Sequence, residues 1–227
     1  MRLAGIHKNS FVDYPGHIAA VIFTRGCNLN CWYCHNRHII DKAGETANAQ
    51  SILSFLKERR GFLDGVVLTG GEPLLQEDVL DFMRTLKSTG LLVKLDTNGT
   101  NPKALSSILK EGLADYVAMD IKAPYGKYDL ITPIEDVESI QVSAGMIMEA
   151  NAEYEFRTTF APNLAAEDIG EIAQSVRGAK KYCIQQFKKS EGMRAKIAPD
   201  PHGVVEIMRA EALAKKYVRN VIVRGAY

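Results

Sequence analysis

The chain has 227 residues, 46% of them hydrophobic and 24% charged, and its 28 basic side chains nearly balance 27 acidic ones. A chain of this length buries a sizeable core without disulfides or structural metals. The near-neutral balance argues against recognition of nucleic acid or an anionic membrane by bulk charge, while leaving room for a local basic patch. The opening MRLAGIHKNS has no apolar signal-peptide core, and no run approaches the ~18 to 20 apolar residues of a membrane span. A cytoplasmic protein with reduced thiols is therefore expected.

Residues 17–26 read as a short apolar strand. At 51–60, Ile52, Leu53, Phe55 and Leu56 lie on one helical stripe, and Gly61 is a natural stop. A strand over 65–71 ends in glycines. Residues 77–89 place Val79, Leu80, Phe82, Met83 and Leu86 at helical spacing, with Gly90 at the C-terminal cap. Residues 91–99 form the next strand. Asn101 and Pro102 suit the cap and first turn of a helix that Gly112 ends. A strand over 116–124 follows, then a helix opened by Thr132 and Pro133 and reaching about Ala150. Beyond it come a strand at 154–162, a helix around Ile169–Val176, a strand at 181–187, a helix over 203–217 and an extended tail at 220–227. This alternation predicts βα units around a parallel sheet. No low-complexity linker interrupts it, so one domain over residues 1–227 is expected. Six core units fall short of the eight that close a full barrel, which implies an α/β partial barrel or open sheet.

In such folds the chemistry sits at the C-terminal ends of the strands. The unusual polar stretches fall there four times. The cysteine segment FTRGCNLNCWYCHN follows the first of these strands, and TGGEP (69–73) the second. DTNG (96–99) follows the third and DIKAP (120–124) the fourth.

Cys27, Cys31 and Cys34 have the spacing C-x3-C-x2-C and account for three of the four cysteines. A closed zinc site needs four ligands, for which His35 or His38 would have to serve, and would make the chain a metal-stabilised binding module. A disulfide runs against the compartment, and three unrelated buried thiols sit oddly in one loop. A [4Fe–4S] cluster takes four thiolates; three leave one iron open to another ligand.

This spacing, with Tyr33 before the last cysteine, resembles the radical S-adenosylmethionine (SAM) superfamily. The resemblance implies one [4Fe–4S] cluster on Cys27, Cys31 and Cys34 and SAM chelated at the open iron. TGGEP resembles the segment lining the methionine amino group, which implies cofactor contacts from Gly70, Gly71 and Glu72, and from Tyr33. Residues 13–36, with CHN closing the motif, look like the short activating proteins of anaerobic ribonucleoside-triphosphate reductase. AMDIKAP (118–124) and QQF (185–187) fit the same type. The related pyruvate formate-lyase activators share the layout.

In those activators, a set matching Asp96, Thr97 and Asp120 holds a monovalent cation, and Asp96 lies beside the cofactor. Lys122 matches the lysine that meets the methionine carboxylate. The same positions also suit turn caps and a solvated lysine. The implied partners are a glycyl-radical enzyme as protein substrate and an external flavodoxin or ferredoxin, since one cysteine beyond the motif provides for no second cluster. A modifier of another peptide, a small molecule or RNA is the alternative. His35 and Asn36 either shape the loop or face the target protein. Arg157 within a strand needs a partner, from the cofactor or from a core carboxylate. Cys183 reads as a small core residue.

Overall fold

The computed structural model describes residues 1–40, 44–190, 193 and 199–225. Its strands are β1 (Leu3–Ser10), β2 (Ala19–Thr24), β3 (Gly65–Gly70), β4 (Leu92–Thr97), β5 (Tyr116–Asp120), β6 (Glu153–Phe160), β7 (Tyr182–Gln186) and β8 (Val221–Arg224). They form one sheet in sequence order. β1 runs antiparallel to β2, pairing Leu3 with Thr24 and Ser10 with Ala19. Every later pair is parallel. A parallel sheet wound in sequence order keeps its crossovers on one face, which is barrel winding. The strands curl into a partial barrel with β1 and β8 as its two edges.

The helices are α1 (Arg37–Ile40), α2 (Ala49–Glu58), α3 (Val79–Ser88), α4 (Pro102–Lys110), α5 (Glu138–Glu149), α6 (Ala166–Ser175) and α7 (Val204–Ala214). Alternation along the strands assigns the two faces of the sheet. Ala20, Ile22, Val66, Leu68, Val93, Leu95, Val117 and Met119 join Leu56, Met83 and Leu86 from the helices in the outer core. Ala19, Val21, Val67, Tyr116 and Ala118 point the other way and pack with Tyr14 into a smaller inner core. The inner core plugs one end of the barrel. Further along the same inward parity come Thr69, Asp96, Asp120 and Arg157, where the barrel opens.

α4 begins as its sequence predicts: the Asn101 side chain accepts from the Ala104 N–H at 3.1 Å, and Pro102 takes the first helical position. Two features depart from expectation. The six expected core strands are β2–β7, and the extended 220–227 tail supplies β8, but the opening residues add an unexpected strand, β1; Ala226 and Tyr227 lie outside the described residues. β1 carries Lys8 and Asn9 and lies at an edge with three exposed positions, so its apolar alternation is weak. The helix expected from Thr132 starts at Glu138 instead. Thr132 is fully buried and its hydroxyl accepts from the Asn30 N–H at 3.0 Å, so it supports the cysteine loop rather than a helix.

Candidate active site

The cysteine loop leaves β2 through Gly26, whose φ of 95° favours glycine. The Gly26 and Cys27 N–H groups donate to the carbonyls of Ile39 and Ile40, closing the loop onto α1 at 2.8 and 3.1 Å. Trp32 N–H donates to the Ile131 carbonyl at 3.3 Å. From the far side, Phe187 at the end of β7 packs on Trp32 and Tyr33, with ring centroids 5.5 and 6.4 Å away. Cys31 is buried, while Cys27 and Cys34 are half-buried, and all three thiols are free. They line one cavity of about 380 Å³ together with the ends of β3, β4, β5 and β6.

The glycines of TGGEP have a reason within the chain. A side chain on Gly70 would strike the Thr24 backbone, and one on Gly71 the Gly26 backbone. Here Gly71 N–H donates to the Thr24 carbonyl at 2.9 Å and Glu72 N–H to the Gly26 carbonyl at 2.8 Å. Asn36 donates to the Gly70 carbonyl at 3.1 Å. The glycine turn is thus stitched to both ends of the cysteine loop. His35, exposed at the surface, donates through Nε2 to the Lys188 carbonyl at 2.9 Å, so both residues after the motif are tied to neighbouring backbone.

Glu72 is buried beneath this turn. Its Oε1 accepts from Thr97 Oγ1 at 2.7 Å and from Leu74 N–H at 3.1 Å, and its Oε2 from Asn98 N–H at 2.7 Å. Burial raises its pKa to about 7, against the pull of those three donors. Glu72 ties the end of β3 to the end of β4 and borders the cavity, with lone pairs beyond those its three donors use. Asn98 stands next to it and offers Nδ2 to Cys27 Sγ at 3.9 Å, while Leu29 N–H reaches the same sulfur at 3.4 Å. Sequence reasoning did not find Asn98 or Phe187 as supports of the loop. DTNG and QQF were visible as motifs, but nothing local tells which member touches the thiols.

The charged wall lies opposite. Lys122 Nζ stands 3.4 Å from Asp120 Oδ2, and Arg157 donates to Asp120 Oδ1 at 2.7 Å and to Asp96 Oδ2 at 3.0 Å. Lys94 pairs with the remaining oxygen of Asp96. Burial works against ionisation of Asp120, yet Arg157 and then Lys122 hold it at about 2. Burial pushes the Cys27 thiol up to about 12, with Glu72 adding to it and Lys122 opposing. Cys31 and Tyr33 are raised by burial too, again opposed by Lys122. Cys183 is fully buried in β7.

The sequence-predicted residues Cys27, Cys31, Cys34, Tyr33, Gly70, Gly71, Glu72, Asp96, Thr97, Asp120 and Lys122 all border the one cavity. Thr97 does not present its hydroxyl to the two aspartates. It donates to Glu72 and accepts from the Gly99 N–H at 3.1 Å.

Among the described residues, no three His, Cys, Asp or Glu side chains converge to hold a single metal ion. A cubane makes a different demand, since each thiolate binds its own iron and the sulfurs stay apart. Three reduced thiols facing one cavity, two N–H donors aimed at one sulfur and a nearby lysine to offset thiolate charge meet that demand.

Comparison with known proteins agrees with this chemistry. A family model described as the Radical SAM superfamily matches residues 21–176. A protein of Methanocaldococcus jannaschii, provisionally named a glycyl-radical enzyme activating enzyme, is 37% identical over 98% of this chain and 95% of its own length. The pyruvate formate-lyase-activating enzyme of Clostridium pasteurianum is 36% identical over 53% of this chain and 52% of its own. The crystal structure of Streptococcus suis SuiB bound to S-adenosylmethionine has a TM-score of 0.73 at 14% identity, over 91% of this chain and 51% of that one. The last likeness concerns the fold. The chain spans nearly all of the first protein and about half of the other two.

Proposed function

We propose, for a chain that belongs to the radical SAM superfamily, that it activates a glycyl-radical enzyme, and that this target is an anaerobic ribonucleoside-triphosphate reductase. The superfamily works with a [4Fe–4S] cluster and SAM. When bound, that pair supplies reductive cleavage of SAM to methionine and a 5′-deoxyadenosyl radical able to abstract hydrogen. The radical's target in this reading is a glycine α-carbon on the partner protein.

The observation that carries the reading is the convergence of three thiols, Lys122 and Glu72 on one cavity. Cys27, Cys31 and Cys34 would hold the cluster. Lys122 would bind the methionine carboxylate, because its own carboxylate partner is shared with Arg157 and lies at a long 3.4 Å. Glu72 Oε2 would accept from the ammonium, with the backbone of Gly70 and Gly71 bordering the same group. Tyr33 would close the apolar side and Asp96 the polar side. Asn98 and Leu29 N–H would steady the Cys27 thiolate by hydrogen bonds. A flavodoxin or ferredoxin would supply the electron.

Reconstituted protein, reductant and SAM, mixed anaerobically with candidate glycyl-radical enzymes, tests the target. We expect a glycyl radical signal by electron paramagnetic resonance on the anaerobic reductase. A signal on a pyruvate formate-lyase alone would move the target within the same class. No signal on either, with SAM still cleaved, would point to another peptide, a small molecule or RNA.

A further inference from the structure

Five charged side chains form one network on the inner face of the sheet: Lys94 and Asp96 on β4, Asp120 on β5, Lys122 just beyond it and Arg157 on β6. The parallel register sets Asp120 directly beside Arg157. The guanidinium then lies between the two carboxylates, with Nε on Asp120 at 2.7 Å and Nη1 on Asp96 at 3.0 Å. Lys94 and Lys122 take the oxygens that Arg157 leaves. Thr69 Oγ1 adds a 3.3 Å contact to Asp96 Oδ2.

We propose that Arg157 is the resident cation of this site, so that no monovalent metal ion binds between Asp96 and Asp120. A hard cation is held by several converging oxygens. All four carboxylate oxygens here already face nitrogen donors. The third oxygen expected for such an ion, Thr97 Oγ1, is spent on Glu72 and the Gly99 N–H. Three cationic groups already surround two carboxylates, so a metal ion would add like charge to a positive set. A planar guanidinium also spans two carboxylates with directed hydrogen bonds, which a spherical ion does not. The residues therefore do not fit the cation that the resemblance implied for Asp96, Thr97 and Asp120.

The test uses the reconstituted holoenzyme at fixed ionic strength in choline, sodium or potassium chloride. Two quantities are read: the SAM dissociation constant and the melting temperature. The wild type should bind SAM within about twofold in all three salts, since only general screening differs little between them, and should melt alike. Arg157→Gln opens the site, so SAM should bind about tenfold more tightly in potassium or sodium than in choline. Arg157→Lys keeps a charge there and should remain indifferent to the salt. A wild-type affinity or melting temperature raised by potassium or sodium over choline overturns the proposal. An Arg157→Gln protein that folds and ignores the salt overturns it too. Should that variant fail to fold in every salt, Arg157→Lys decides, and a metal-ion response there counts against the proposal. The affinity arm rests on the reading under Proposed function; a protein that binds no SAM in any salt breaks that reading, and the melting arm still decides this one.

Discussion

The two halves of the sheet contribute to the site in different ways. β2 to β5 each end in a short run of unusual residues: the cysteine loop, TGGEP, DTNG and DIKAP. β6 to β8 contribute mainly supporting side chains: Arg157 across the two aspartates, Phe187 beneath the cysteine loop, and Arg224 on the fully buried Glu155 at 2.8 and 2.7 Å. On the proposed reading the first half would hold the reacting groups, and the second half would prop and neutralise them. Chemistry and support have thus been divided along the chain, and the division can be attacked from either side.

The largest effect should come from the first half. If Cys31 holds the cluster as proposed, Cys31→Ala should drop iron and acid-labile sulfide to background in the reconstituted protein while the melting temperature of the cluster-free protein changes little. Next is Phe187→Ala, which empties the contact under Trp32 and Tyr33. It should cost about 3–5 kcal/mol by urea unfolding, with iron still incorporated under stabilising conditions. Arg224→Ala leaves the Glu155 carboxylate buried without its bidentate partner. Because the Arg224 side chain is one-third exposed, the cost should be nearer 2 kcal/mol than the full value for a buried pair. Iron binding should be untouched. If either second-half variant lost iron while keeping its stability, the division would be wrong.

The smallest effect is a pH dependence. Asp120 has its pKa depressed from 3.8 to about 2. A depressed carboxylate adds stability above its unfolded pKa and loses it as pH falls through the folded one. The stability difference between wild type and Asp120→Asn should therefore shrink as pH drops from 3.8 through about 2. A difference that stays constant over that interval would mean that Arg157 does not pair with Asp120 in solution.

The same division governs what the sequence discloses. The four motif runs and the α4 cap are local patterns, and each could be placed at a strand end from hydrophobic alternation alone. β1 escaped because an edge strand need not be apolar, and Lys8 and Asn9 hid its period. Thr132 and Pro133 looked like a helix start, yet tertiary contact with Asn30 turned that threonine into a loop support. Glu72 reads in the sequence as a ligand contact, whereas its three short-range donors also make it the tie between β3 and β4. A core carboxylate was a readable partner for Arg157, but its identity was not, because only the parallel register sets Asp120 beside it, and nothing local in the sequence brings Phe187 to Trp32.

The convergence of Cys27, Cys31, Cys34, Glu72 and Lys122 on one cavity is the central claim. Its most direct test is to incubate anaerobically reconstituted protein with reductant and SAM, and to measure 5′-deoxyadenosine beside bound iron. The account predicts a brown protein with about four iron atoms per chain that forms 5′-deoxyadenosine, and loses both properties in Cys31→Ala. A colourless zinc protein, or a four-iron protein that never cleaves SAM, would contradict it.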